Sequence, residues 1–151
     1  MKYNLKHFND LSTSELYTLI RERIKVFIIE QNCLYEECDN HDQGAWHLMV
    51  MDKEELAGCL RILPAGLAYE TVSIGRVVVK KEYRGQGIAR IMMQTAMQFV
   101  EQELKETAIT ISAQAYLKDF YESLGFYQLT ECYDEDGIPH IKMIYVFYKP
   151  N

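Results

Sequence analysis

Ser73-Ile74-Gly75-Arg76-Val77-Val78-Val79-Lys80-Lys81-Glu82-Tyr83-Arg84-Gly85-Gln86-Gly87-Ile88-Ala89-Arg90 is the stretch whose reading decides the fold. Ile74, Val77, Val78 and Val79 form a β-rich run too short for a helix. Residues 80–87 then break into a charged turn that carries two glycines. Beyond it Ile88, Ile91, Met92, Ala96 and Phe99 recur on one helical face. A strand, a Gly-bearing loop and a helix start make an anion site. The first helical N–H groups lack internal partners, and the helix dipole adds partial positive charge there. Gly85 and Gly87 have no Cβ and let the backbone approach a phosphate, while Arg84 and Arg90 add full charges. The stretch is not a P-loop, because no Lys-Ser or Lys-Thr follows the second glycine. It also fails as a dinucleotide fingerprint, because Arg90 stands at the third glycine position.

Working outward, residues 69–79 read as the whole central strand and residues 87–103 as the main helix. On the N-terminal side, residues 3–8 read as an edge strand. Ser12 and Glu15 make a capping box that starts a helix, with Leu16, Leu19, Ile20, Ile24 and Phe27 as its buried face. Residues 45–51 and 56–63 read as a hairpin. On the C-terminal side, residues 108–113 make a strand parallel to the central one, joined by a right-handed crossover. Residues 116–124 form a helix with Gly125 as its C′ cap. Residues 127–133 and 141–148 are closing strands around a turn over 134–140 with Asp136-Gly137 chemistry. The sum is an α/β (α+β) chain with a mixed central sheet of about seven strands, antiparallel in its first half, and flanking helices.

The 151 residues fit a single domain over 1–151. A hydrophobic content of 48% and a charged content of 25% suit a globular chain. A net charge of −6 argues against nucleic acid as a partner, so an anionic ligand must meet the local patch Lys80, Lys81, Arg84 and Arg90. The N-terminal residues lack an apolar signal core and no run is long enough for a membrane. Cys33, Cys38, Cys59 and Cys132 lack paired spacing and read as reduced thiols in a cytoplasmic protein. Residues 30–42 hold Glu30, Glu36, Glu37, Asp39 and Asp42 without helical or strand period, and read as an acidic loop or a broken helix. A metal site from Asp39, His41, Asp42 and His47 has no recognised ligand spacing, and no metal is expected.

Arg84, Gly87 and Ala89 match the Arg-x-x-Gly-x-Ala pyrophosphate signature, and this chain resembles the GCN5-related N-acetyltransferases (GNAT) there. Ala113-Gln114-Ala115 followed by Phe120-Tyr121-Glu122-Ser123-Leu124-Gly125-Phe126 resembles the second motif of that family. A narrower resemblance, to the ElaA branch, runs through Val26-Phe27, Glu30-Gln31-Asn32-Cys33, Tyr35, Asp39, Asp42, Ile74-Gly75-Arg76-Val77 and Glu135-Asp136-Gly137-Ile138-Pro139-His140. Residues 30–42 also resemble the acyl-homoserine-lactone synthases.

The resemblance implies acetyl-CoA as co-substrate, held where two central parallel strands splay apart. Its pantetheine would pair with Val77, Val78 and Val79, with the Val77 N–H polarising the thioester. Its pyrophosphate would sit on Arg84, Gly85, Gln86, Gly87, Ile88, Ala89 and Arg90, with Gln114 opposite. Tyr121, four residues before Gly125, matches the family's proton donor; its other reading is a packed aromatic. Neither Ser73 nor Gly75, at the positions where other members carry a strand base, is a useful base. Glu37, Asp39, Asp42, His47, Glu70 and His140 are the candidates, with water as the alternative. His140 has the best intrinsic pKa, near ~6.5; its other reading is a hairpin residue hydrogen-bonded to its own turn. Glu37, Asp39, Asp42 and His140 are expected to converge on the thioester end, with His47 also assigned to the acceptor. An acyl-cysteine route through Cys33, Cys38 or Cys132 lacks a matching His.

The expected activity is N-acetyl transfer to an amine of a small molecule or peptide. The alternatives are a non-catalytic CoA-binding sensor or interaction module, and an acyltransferase of the lactone-synthase type. A homodimer is the family-level expectation.

Overall fold

The computed structural model describes residues 1–147, and all of its strands join one sheet. In chain order these are β1 (Lys2–His7), α1 (Thr13–Ile24), β2 (Trp46–Asp52), β3 (Glu55–Leu63), β4 (Val72–Val79), α2 (Ile88–Gln102), β5 (Ala108–Gln114), α3 (Lys118–Ser123), β6 (Tyr127–Gln128), β7 (Tyr133–Glu135) and β8 (Ile138–Val146). The spatial order is β1-β2-β3-β4-β5-β8-β6, with β7 also paired to β8. Among the described residues only β4 and β5 run parallel, and every other pair is antiparallel. Among the described residues, no helix is long and apolar enough to cross a membrane.

Local chemistry places the ends of the elements. Ser12 Oγ accepts from the Glu15 N–H at 3.0 Å, and Glu15 Oε1 accepts from the Ser12 N–H at 2.8 Å, so the capping box opens α1. Asp136 and Gly137 both have positive φ, 53° and 82°, and form the two-residue turn of the β7–β8 hairpin. Gly125 at φ 102° follows α3 as expected of a C′ residue.

Four boundaries differ from the pattern. The central strand starts at Val72, because residues 64–71 form turns. The expected strand over 127–133 is two short strands, and the expected helix over 116–124 is a 3₁₀ turn followed by the six residues of α3. The last strand starts early, at Ile138, and therefore takes His140 out of the turn and into the sheet; Tyr148 lies outside the described residues.

Two apolar layers hold the sheet between helices. On one face Leu19 of α1 meets Met49, Leu56, Cys59 and Val78. On the other, Ile88, Met92, Met93, Ala96 and Val100 of α2 cover Leu48, Val50, Leu60 and Ile62. Each Leu, Ile, Val or Met side chain among them, once fully buried, contributes on the order of 1.5–3 kcal/mol. The buried side of α1 is not the apolar stripe of the periodicity alone. Ile20 and Ile24 are only half-buried, whereas Glu22 and Arg23 are each 2% exposed.

Arg23 is buried because three arginines and three carboxylates are stacked there. Its guanidinium donates to Glu37 and, from Nη1, to Asp42 Oδ1 at 2.9 Å. Arg61 of β3 donates to Asp39 at 2.8 Å and to Asp42 at 2.9 Å. Arg76 of β4 reaches Glu37 and Asp39 at 3.0 and 3.3 Å and lies over the Tyr35 ring. This network ties residues 35–42 to α1, β3 and β4. It also holds a bulge. Cys59 pairs with Val78 and Arg61 with Gly75, so β4 carries one residue more than β3 across that step. Arg76 sits in the bulge at φ 52°, a left-handed conformation that costs a non-glycine residue on the order of 1–3 kcal/mol.

Truncating one member of a buried pair leaves the other charge uncompensated. Asp42→Ala is therefore expected to lower the unfolding free energy by about 3–5 kcal/mol in urea titrations. Burial alone favours the neutral form of Asp39 and Asp42, but their guanidinium partners outweigh it and hold both below the usual carboxylate range. The unfolded chain thus binds more protons below pH ~4, and stability that is full above that value falls as the pH drops. Burial also depresses His47, which adds an earlier loss starting near pH ~6.5. Urea midpoints at pH 7, 5.5 and 3.5 should decline in that order.

Candidate active site

β4 and β5 pair at only two positions, Val72–Ile109 and Ser73–Thr110. Past them the strands part, because the bulge at Arg76 turns β4 away while β5 stays paired to β8 along its whole length. The opening is a cleft of about 920 Å³. One wall is β4 from Ser73 to Val79 and the loop into α2. The other is the end of β5 with Tyr116, Leu117, Phe120 and Tyr121.

At one end the cleft meets the N-terminus of α2. Gly87 is the N-cap at φ 79° and supplies no side-chain acceptor, so the N–H groups of the first turn are free for a ligand. Gly85 has φ 81°, and a Cβ on either glycine would meet nothing within 4 Å. The space beside the backbone is open, as a phosphate cradle requires. Arg84, Gly85, Gly87, Ile88, Ala89 and Arg90 line the cleft, whereas Gln86 is exposed and does not. The two arginines are not free charges. Arg84 donates from Nε to the Val79 carbonyl at 2.9 Å and from both terminal nitrogens to Glu30 at 2.9 and 3.0 Å. Arg90 donates to Ser123 Oγ at 2.7 Å and lies over the Phe120 ring. The exposed Arg84–Glu30 pair contributes roughly 0–1 kcal/mol, little enough for a phosphate to compete.

Glu30 comes from a widened turn that extends α1. Residues 25–30 are π-helical, with Gln31 and Cys33 bonded back to Val26 and Ile28, five residues earlier. Val26, Phe27, Glu30 and Gln31 line the cleft. Gln31 exchanges two amide hydrogen bonds with Gln114, at 3.1 and 3.3 Å. The π turn therefore joins the β4 side, through Arg84, to the β5 side, through Gln114.

Tyr121, whose ring meets the Phe120 ring beneath Arg90, and His140 also line the cleft. Tyr121 is 7% exposed, and burial pushes its phenol up to about 12. Its hydroxyl makes no hydrogen bond to another of the described residues. His140 pairs in register with Gln114 of β5 and Tyr133 of β7, which puts its imidazole on the cleft wall.

The acidic loop reaches this region only in part. Asp39 and His41 line the cleft. Glu37, Asp42 and His47 do not: the first two are engaged by Arg23, Arg61 and Arg76 behind the wall, and His47 Nε2 lies 3.1 Å from the Asp42 carbonyl. Of Glu37, Asp39, Asp42 and His140, expected to converge, Asp39 and His140 line the cleft, while guanidinium groups draw the other two carboxylates inward. Glu70 does not line the cleft either. Cys33 is buried on the cleft wall and donates its thiol to the Asp136 carbonyl, while Cys38 and Cys132 are exposed. Among the described residues, no three His, Cys, Asp or Glu side chains are grouped to hold a metal. The sequence pattern passed over Ser112 and Glu135, which also line the cleft, and Tyr133, whose hydroxyl meets Ser112 Oγ. Glu135 stood within a quoted motif but had no signal separating it from ordinary turn acids.

A family model described as an acetyltransferase (GNAT) domain matches residues 12–147. The chain belongs to the GNAT acetyltransferase family. Within it, the chain is ElaA-like. Protein ElaA of Escherichia coli is 38% identical over 139 residues, 91% of each chain. The crystal structure of that protein superposes with a TM-score of 0.90 at 36% identity, covering 95% of this chain and 98% of that one. An acyl-CoA N-acyltransferase from Pseudomonas aeruginosa superposes with a TM-score of 0.91 at 38% identity, covering 97% and 100%. An aminoglycoside 6'-N-acetyltransferase in complex with coenzyme A shares the fold, with a TM-score of 0.73 at 14% identity and coverage of 98% and 99%. The GNAT fold read from residues 73–126 is the fold observed, with a sheet of eight strands rather than about seven.

The cradle yields a direct test. Gly87→Asp places a carboxylate beside the free N–H groups, at a left-handed position that Asp tolerates better than most residues. Acetyl-CoA binding in calorimetry is expected to fall at least ~10-fold, equivalent to about 1.4 kcal/mol, while circular dichroism shows the parent fold.

Proposed function

We propose that this protein transfers an acetyl group from acetyl-CoA directly to an amine of a small molecule or peptide. The observation that carries the reading is one continuous cleft between parted parallel strands, with uncapped N–H groups of α2 at one end and Tyr121 and His140 among its lining residues. The pyrophosphate is assigned to residues 84–90 and the pantetheine to the edge of Val77, Val78 and Val79, with Gln114 on the facing strand. The Val79 carbonyl already accepts from Arg84, so strand-like pairing falls mainly on Val77 and Val78. The thioester then lies near Val77, whose N–H stabilises the oxyanion.

An ammonium group cannot attack a carbonyl carbon, so the acceptor must first lose a proton. His140 is assigned that task, because its imidazole lines the cleft with Nε2 beside the half-exposed Glu135 carboxylate. Tyr121 is assigned to the departing thiolate. A phenol pushed up to about 12 stays protonated across the working range and is available to donate. Asp39 borders the acceptor space but is engaged by Arg61 and Arg76, which leaves it a wall residue.

Thiol release from acetyl-CoA, with and without added amines, separates this reading from a non-catalytic CoA-binding module. Tyr121→Phe keeps the ring and removes the proton. Its turnover is expected to fall by about 10²–10⁴-fold with acetyl-CoA affinity unchanged. Because the phenol titrates so high, Tyr121 should impose no alkaline limb on the parent enzyme below pH ~10. Parent-like turnover in the variant would return Tyr121 to a packing role.

A further inference from the structure

Glu135 lies at the end of β7, beside the turn that reverses the chain into β8, and its side chain is 47% exposed on the cleft wall. Its Oε2 lies 3.2 Å from His140 Nε2 and its Oε1 3.4 Å from Ser112 Oγ. The other ring nitrogen, His140 Nδ1, lies 2.7 Å from the Ile138 carbonyl oxygen. A carbonyl only accepts, so this contact assigns the N–H to Nδ1 and leaves the Nε2 lone pair toward Glu135, on the cleft wall. A lone pair and a carboxylate at 3.2 Å repel unless a proton stands between them. The site is therefore built to receive a proton at that position. The Tyr133 ring stacks on the imidazole with centroids 6.3 Å apart and planes 26° apart, and the Tyr133 hydroxyl is tied to Ser112 Oγ at 2.5 Å. A carbonyl, a carboxylate and a ring face fix the imidazole together.

We infer that Glu135 is a positioning residue that makes His140 the acceptor of the substrate ammonium proton. The inference rests on the acetyl-transfer reading above. His140 Nε2 takes one proton from the ammonium group and holds it against Glu135. The freed amine attacks the thioester carbon, the C–N bond forms, and the C–S bond breaks. The sulfur takes its proton from Tyr121, and the second amine proton replaces that one on the phenol. The proton on His140 leaves past the half-exposed Glu135 to solvent. The balance is one proton released per amide formed. The favoured acceptor is thus an amine that arrives charged and has no carboxylate beside the reacting nitrogen, since Glu135 faces it.

Two measurements test this on the whole protein. The first compares thiol release with 1,4-diaminobutane, charged at neutral pH, and 2,2,2-trifluoroethylamine, which is largely neutral there and needs no base. Glu135→Gln should cut kcat for the charged amine at least ~10-fold more than for the neutral one, and Glu135→Asp should recover part of the loss. Acetyl-CoA affinity by calorimetry should stay at the parent value. Equal losses on both amines, or no loss on either, would overturn the role of Glu135. The second is the ¹⁵N spectrum of His140 in histidine-labelled protein, which needs no acceptor. A proton on Nδ1 in the neutral ring is expected. A bare Nδ1 with the proton on Nε2 would overturn the inference whatever the amines show. An absence of acetyl-CoA binding in the parent would instead remove the acetyl-transfer reading itself.

Discussion

The structure depends on one buried side chain, Arg23. It is 2% exposed, and its charge is met by Glu37 and Asp42. These carboxylates are in turn shared with Arg76 and Arg61, and Asp39 closes the set. Three positive and three negative groups cancel inside the protein, and Tyr35 adds its hydroxyl to Glu37. No pair in this set stands alone. Coulomb attraction offsets desolvation only when lone pairs and N–H groups are also hydrogen-bonded, as nearly all are here. The loop that holds the three carboxylates is thereby fixed against the sheet, and the strained Arg76 backbone is held in place by its own side chain.

That strain shapes the cleft. A bulge in β4 raises the local twist, so β4 leaves β5 after two paired residues. Beyond the split, the edge of β4 that faces β5 has no strand beside it, although β4 stays paired to β3. The ionic cluster and the cleft are thus one construction: charges on the α1 side of the sheet hold the kink whose other consequence is the ligand slot.

What could be read in the chain follows the range of the forces. Ser12 and Glu15, Asp136 and Gly137, and Gly125 act within a few residues and were legible as caps and turns. The run from Val77 to Ala89 joins a strand to a helix locally, and its loop reads as an anion site with no help from elsewhere. Arg23 did not, because its partners lie 14 and 19 residues away and Arg76 meets Glu37 across 39. Periodicity counts apolar residues, so it placed a neutralised buried arginine on the solvent side. The acids of residues 30–42 looked like an acceptor site for the same reason: their cations are in other elements. His140 was legible as an imidazole of interest, but its place on a strand depended on the β7–β8 register, and the role of Glu135 depended on that placement.

The π turn over Lys25–Glu30 makes chain length itself a structural variable. Each residue of an α-helix advances the chain by about 100° around the axis. The turn stores one residue more than an α-helix would, and this places Glu30 against Arg84 and Gln31 against Gln114. Deleting a single residue from it would let the segment rewind as ordinary helix. Everything after it would then rotate by roughly a quarter turn, and both contacts would face elsewhere although no side chain that makes them had been altered. Substitutions in this segment change what touches the ligand, whereas an insertion or deletion changes the phase of the helix, and the mouth of the cleft is sensitive to phase.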